Sequence, residues 1–192
     1  MEFLMRVLLV AAAVCFSLLA GGCASFTAPP YSADYPALDA LKRSSAGKVN
    51  VGRGQPDGPE EAVNKITLRG AALRAEGTTF AGYVAQAMAS DLKQVGLLDL
   101  ASSRKIDLLL LKNDIDVSGI SEGKGVIEVR LTITDLERVV FQKNYAAQTK
   151  FASAFSGATA IPIGQAEYPN LVRALLANIY RDPNFIRALS GP

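Results

Sequence analysis

The sequence predicts an α+β fold in a single domain, a mixed and mostly antiparallel sheet of about five strands with helices packed on one face, in the order β-β-α-β-β-β-α-α. Three observations predict it. Between Lys105 and Phe151, apolar and polar residues alternate with period two through three consecutive runs. Before and after that block, apolar residues recur at three- and four-residue steps, which is a helical period. The links between the three runs are short, and short links make an antiparallel meander.

The first two strands are expected at Gly47–Arg53 and Asn64–Arg69, which alternate apolar and polar residues around the turn chemistry of Asp57-Gly58-Pro59. Gly70 to Gly77 reads as a breaker-bounded connection. Thr78 or Thr79 then caps a helix to about Val95, with Phe80, Val84, Ala87, Met88, Leu92 and Val95 on one face and Gln86, Asp91 and Lys93 on the other. Gly96 is its stop, because glycine takes the left-handed conformation without steric cost.

Ile106–Val117 contains four consecutive leucines, apolar on both faces as in a central strand. Val126–Asp135 places Ile127, Val129, Leu131 and Ile133 on one face. Val139–Phe151 turns Phe141, Tyr145, Ala147 and Phe151 inward. Ala152–Pro162, rich in small residues, is expected as a mobile loop or a bulged strand end. A helix follows between about Gly164 and Tyr180, with Pro169 placed to kink or restart it. Asp182-Pro183 reads as the N-cap and first residue of a last short helix.

Composition narrows the chemistry. The net charge is +2, and it is unchanged if Glu2 and Arg6 are removed together, so no strong field draws nucleic acid or acidic lipid. There is no histidine, which removes the commonest general base and the commonest metal ligand at once. The two cysteines are Cys15 and Cys23, both close to the start, so the domain has no disulfide to rely on.

The N-terminal stretch says most about location. Val7 to Ala20 is an apolar run, followed by Gly21, Gly22, Cys23, Ala24 and Ser25. A secretory signal needs a positive start, a run of about 7–15 apolar residues and small residues at the cleavage point. Here Arg6 is the only cation of the start, diluted by Glu2 unless translation begins at Met5. The run is shorter than the ~20 residues of a membrane-spanning helix, although an uncleaved anchor or a plain secretory signal is the alternative.

Leu19-Ala20-Gly21-Gly22-Cys23 resembles the lipobox at which bacterial prolipoproteins are cut and lipidated, with Ala20 where that family usually has Leu. The resemblance implies cleavage between Gly22 and Cys23 and acylation of Cys23. Ala24 and Ser25, with no Asp after the cysteine, imply sorting to the periplasmic face of the outer membrane. The expected organisation is therefore a signal peptide over 1–22, the lipidated cysteine and a flexible tether over 23–46, and the α+β domain over 47–192. The tether holds Pro29, Pro30 and Pro36, and Ala37–Ser45 adds a helical turn or two. Phe26, Tyr31 and Tyr35 within it can alternatively dock on the domain or lie at the membrane.

Motifs for catalysis are weak. Gly119–Gly125 (GISEGKG) has three residues between its first glycines where a P-loop needs four, and a strand follows it, so a flexible hairpin is the better reading. Asp114 and Asp116, beside Lys112, share a strand face, which is a solvated face more often than a cation site. Ser153 and Ser156, after Lys150, lie in no nucleophile elbow or Ser-x-x-Lys motif. No catalytic residue, metal ligand or cofactor is expected, and the chain is not read as an enzyme.

The order of elements, the turn at Asp116-Val117-Ser118-Gly119, the strand with Lys143-Asn144-Tyr145 and the helix start at Asp182–Phe185 resemble the small YajG-like envelope lipoproteins. More loosely, the architecture is similar to lipoproteins that assist lipopolysaccharide assembly or ABC transporters. The resemblance implies an accessory or binding role toward another envelope protein or a lipid, through the sheet face, a strand edge or the Ala152–Pro162 loop. Two other readings are a lipid-binding module with an apolar groove between helices and sheet, and a cell-envelope hydrolase using carboxylate or serine chemistry, with carboxylates gathered in a deep pocket.

Overall fold

The computed structural model describes residues 25–75 and 77–190. The chain runs through β1 (Ser25–Thr27), α1 (Tyr35–Lys42), β2 (Asn50–Val51), a 3-10 turn (Ala62–Asn64), β3 (Ile66–Leu68), β4 (Ala71–Arg74) and α2 (Phe80–Gln94). It continues as β5 (Arg104–Asp116), β6 (Glu122–Asp135), β7 (Arg138–Ala152), α3 (Gly157–Tyr180) and α4 (Pro183–Ser190). The class is α+β, mixed and mostly antiparallel, as the sequence predicts, but the strands divide between two sheets. One has the order β2-β5-β6-β7, the other β1-β4-β3.

The four-stranded sheet follows from its alternation. Ile106, Leu108 and Leu110 of β5, Ile127, Val129, Leu131 and Ile133 of β6, and Tyr145 and Ala147 of β7 are buried on one face. The antiparallel register shifts between Leu110 and Lys112. That bulge resets the parity, so Asn113, Ile115 and Val117 keep facing the core after Leu111. On the other face Gln142 donates to Thr132, and Asn144 links Arg130 to Glu128, as expected of a solvated ladder.

The helices cover the buried face. Thr79 caps α2, its Oγ1 accepting from the Gly82 N–H at 3.1 Å, and Gly96 with φ +77 ends the helix. Phe80 and Tyr83 of α2 pack on Tyr168 of α3 with ring centroids 4.6 and 5.3 Å apart. Around them Met88, Leu92, Leu171, Val172 and Leu175 are buried, each stabilising the fold by about 1.5–3 kcal/mol.

Three expectations change. The tether expected over 23–46 is, from Ser25 onward, laid against the domain. β1 pairs in parallel with β4, Ala28, Leu38 and Leu41 are buried, and Arg173 of α3 donates to the Ser32 carbonyl at 2.9 Å. Within the connection expected at Gly70–Gly77, Ala71–Arg74 forms the central strand of the smaller sheet. The loop expected at Ala152–Pro162 becomes helix from Gly157, and α3 passes through both Pro162 and Pro169 without ending. Dense burial along Ala160, Tyr168, Leu171 and Leu175 outweighs the lost helical hydrogen bonds.

Candidate functional site

β5 spans about 40 Å end to end, and each end of the large sheet carries exposed apolar side chains. The first end is where β5 turns into β6 and β7 runs out toward α3. The β3–β4 hairpin turns there through Arg69 and Gly70, both with positive φ. The Arg69 guanidinium reaches into the two neighbouring loops, donating to the carbonyls of Val117 (2.9 Å), Gly119 (3.3 Å), Ala154 (2.8 Å) and Phe155 (2.5 Å). The Ser153 N–H donates to the Ser121 carbonyl at 2.9 Å and joins the loops directly. At their tips Ile120 is 71% and Phe155 80% exposed.

Ser25 belongs to this end. It stands in register with Ala72, two residues beyond Gly70. The other sequence-predicted lipidation residues, Gly22, Cys23 and Ala24, lie outside the described residues. Among the described residues no helix is long and apolar enough to cross a membrane.

The opposite end is the β6–β7 turn, made by Leu136 and Glu137 in positive φ. Leu136 (78% exposed), Val139 (62%) and Val140 (49%) stand together there. A register shift at Ile133/Thr134 leaves Val140 without a partner on β6. Arg104 braces the turn from below, 2.6 Å from the Asp135 carboxylate and donating to the Leu189 carbonyl at 2.8 Å. The hydrogen bonds from Arg104 and Ser103 hold the Asp135 carboxyl below its ordinary range. A shallow cavity of about 340 Å³ opens between Val140, Arg138 and Arg187. β7 is also the last strand of the sheet, so one of its edges has no strand beside it. The Asn178 amide covers that edge at one point, donating to the Ala146 carbonyl at 3.0 Å.

The motifs weighed in the sequence find structural roles. In the Gly119–Gly125 segment, a Cβ on Gly123 would fall 2.3 Å from the Phe151 ring, and one on Gly125 would fall 2.7 Å from Thr149 Oγ1. These glycines make room for side chains stacked across β6. Asp116 accepts from the Ser118 N–H at 2.8 Å, and the Ser118 side chain together with that N–H lowers its carboxyl from the ordinary value, while Asp114 is exposed on the solvated face. Ser153 Oγ donates to the Val117 carbonyl at 3.4 Å, and Ser156 is the residue before α3.

Two carboxylates gain partners that the sequence does not show, although it already marks Asp182 as the N-cap of the last helix. Asp91, expected on the polar face of its helix, is fully buried, and its Oδ2 accepts from Tyr31 at 2.8 Å and Tyr180 at 3.1 Å. Burial raises its pKa against the lowering effect of the two hydroxyls. Asp182 takes Lys143 Nζ at 2.7 Å and the Tyr145 hydroxyl at 2.6 Å on the same oxygen. Burial works to raise its pKa, but those bonds and the Asn184 N–H bring it down to about 2. Neither group lines the cavities beside α2, whose volumes are about 460 and 680 Å³ and whose shared wall is Pro59 and Gly77–Thr79. Between helices and sheet, where a lipid groove was expected as one reading, Phe80, Met88, Tyr168 and Leu171 fill the space.

No protein-family model matches the sequence, and the comparison with curated proteins gives no match either. The fold is shared with a Xanthomonas campestris protein of family DUF330, with a TM-score of 0.55 at 12% identity, covering 85% of this chain and 95% of that one. A candidate lipoprotein from Caulobacter crescentus aligns with a TM-score of 0.46 at 12% identity, over 82% of this chain and 98% of that one. At such identities the likeness is one of fold. It runs to a DUF330 protein and not specifically to the YajG-like group. The DUF330 likeness covers nearly the whole of its counterpart, so it is one of overall architecture and not of a local motif.

Proposed function

We propose that this chain is a lipid-anchored protein of the periplasmic face of the outer membrane, serving as an accessory or binding module for another envelope component. The lipobox at Cys23 supplies the anchor. Each buried CH₂ is worth about 0.8 kcal/mol and stable anchoring takes more than one acyl chain. The observation that carries the binding role is the cluster of Leu136, Val139 and Val140, exposed on the edge strand and the turn that enters it, at the end of the sheet away from Ser25.

An edge strand offers unpaired backbone groups, and a partner adding an extended segment to it gains main-chain hydrogen bonds plus pockets for alternate side chains. Val139 and Val140 would supply the apolar contact and the open side of β7 the backbone pairing. The lipid anchor raises the effective concentration of such a partner in the same membrane.

The test is a photo-crosslinking amino acid placed at Val140 in cells, with Gln148 on the solvated face as the reference. A crosslinked envelope protein of one defined mass is expected at Val140. Val139→Asp with Val140→Asp should abolish it while leaving the fold intact, because both side chains are solvent-facing. Equal or absent adducts at the two positions would sink the docking role. Cys23→Ser tests the anchor separately, since it should abolish fatty-acid labelling.

A further inference from the structure

We infer that the end of the domain nearest Ser25 is seated on the lipid surface itself, with Ile120 and Phe155 entering the boundary between headgroups and acyl chains. The inference rests on the lipid-anchor reading and adds an orientation to it. Only Ala24 separates Cys23 from Ser25, and two residues of chain reach at most about 7 Å. Since Ser25 is held in register with Ala72, an acylated Cys23 keeps the membrane within that reach of the β1 start. The flexible tether expected from the sequence would have left the domain free to tumble. The ordered β1 does not.

What faces the membrane is then settled by position. The Arg69–Gly70 turn, the loop carrying Ile120 and the loop carrying Phe155 all lie at this end, tied together by the Arg69 guanidinium. Ile120 and Phe155 are large apolar side chains left exposed on loops that are joined to each other, and an aromatic ring suits the interfacial layer. Because Arg69 and the Ser153–Ser121 bond already hold both loops, seating them requires little further ordering. Arg69 also satisfies backbone carbonyls that would otherwise meet a dry environment. Lys124 and Lys150 sit opposite each other on β6 and β7 just behind the tips, placed for phosphate headgroups, with Glu122 bridging to Lys150 at 3.3 Å. With the sheet standing on this end, the apolar residues at Leu136–Val140 lie about 40 Å farther out along it, clear of the same bilayer surface.

The chain has no tryptophan, so a single one reports its own surroundings. Full-length acylated protein carrying Phe155→Trp, Ile120→Trp or Leu136→Trp is placed in phosphatidylethanolamine–phosphatidylglycerol vesicles containing dibrominated lipid, with Cys23 acylation verified by mass. At positions 120 and 155 the emission should fall at least twofold relative to unbrominated vesicles, and at 136 it should not change. Emission at 120 and 155 as insensitive as at 136, in acylated protein, overturns the seating and leaves the anchor standing. Quenching at 136 alone overturns it too, by reversing the orientation. A Cys23 without acyl chains overturns the anchor and the seating together.

Discussion

Tyr31 donates its hydroxyl hydrogen to the Oδ2 of Asp91 at 2.8 Å, and this bond ties the N-terminal segment to α2. Tyr180 donates to the same oxygen from α3, so one buried carboxylate joins three parts of the chain. Tyr31→Phe removes a hydrogen bond to a group that has few others, and hydrogen bonds to charged groups contribute about 1.5–3 kcal/mol. The expected loss near neutral pH is about 2 kcal/mol, read from the urea midpoint.

The pH dependence of that loss has a definite sign. Burial lifts the Asp91 pKa above the ordinary 3.8, so the folded state holds the proton more tightly than the unfolded chain. Its contribution to stability is present below the ordinary value and lost as pH rises through the raised one. Tyr31 acts to lower that pKa, and Tyr31→Phe therefore raises it further. The gap between wild type and variant should be wider at pH 7 than at pH 4, and a gap independent of pH would refute this account of Asp91.

Asp182 behaves in the opposite sense. Its folded pKa of about 2 lies below the ordinary 3.8, so its contribution, about 2 kcal/mol, is present above that ordinary value and lost as pH falls toward 2. Asp182→Asn keeps a side chain able to cap α4 but removes the charge that holds Lys143. Thermal unfolding between pH 5 and pH 2 should show the wild type converging on the variant. Parallel curves across that window would exclude the carboxylate as the cause.

Much of the fold was readable because it is local. The alternation of β6, the Thr79 cap and Gly96 stop of α2, and the Asp182-Pro183 start of α4 each lie within a few residues of the structure they specify. β1 and β4 are three and four residues long and find each other across the chain, Ser25 against Ala72, with no local signal of their own. The first turns of α3 contain Gly157 and Pro162, poor helix formers, and what these turns bury, Ala160 and Gly164, is set by tertiary packing that the local sequence does not show. Asp91 was legible as a helical residue and not as a buried one, because its partner Tyr31 comes sixty positions earlier. Of the site, the sequence marked Cys23 by motif, whereas Ile120, Phe155, Leu136, Val139 and Val140 become a pattern only when the sheet sets them at two ends.

Gly54 is needed for its lack of a side chain. A Cβ there would lie 1.8 Å from the Ala81 carbonyl oxygen, a backbone atom in the first turn of α2 that cannot rotate away. Gly54→Ala should therefore cost about 3 kcal/mol through forced displacement of the strand-like segment beside β5. Gly58→Ala, whose Cβ would first meet the flexible Glu61 Cγ at 3.4 Å, should change the urea midpoint little. Equal effects at the two positions would show that the contact at Ala81 relaxes without penalty.

Arg69 offers a test of rigidity at the Ser25 end. Its planar guanidinium serves carbonyls in two loops at once, a geometry that the single ammonium of lysine cannot reproduce. Arg69→Lys should thus behave like Arg69→Ala and unlike the wild type. Hydrogen exchange at residues 117–121 and 153–157 is expected to quicken by at least tenfold in both variants, because opening those loops no longer breaks the bonds that cross between them. Exchange at 129–133, in the middle of β6, should keep its wild-type rate, since the core there is packed by Ile127, Val129 and Leu131 without help from Arg69. If lysine restores slow exchange, a positive charge at this position is enough and the forked geometry is not what holds the loops. If both regions quicken together, the residue supports the whole fold, and the loops carrying Ile120 and Phe155 have no separate clamp.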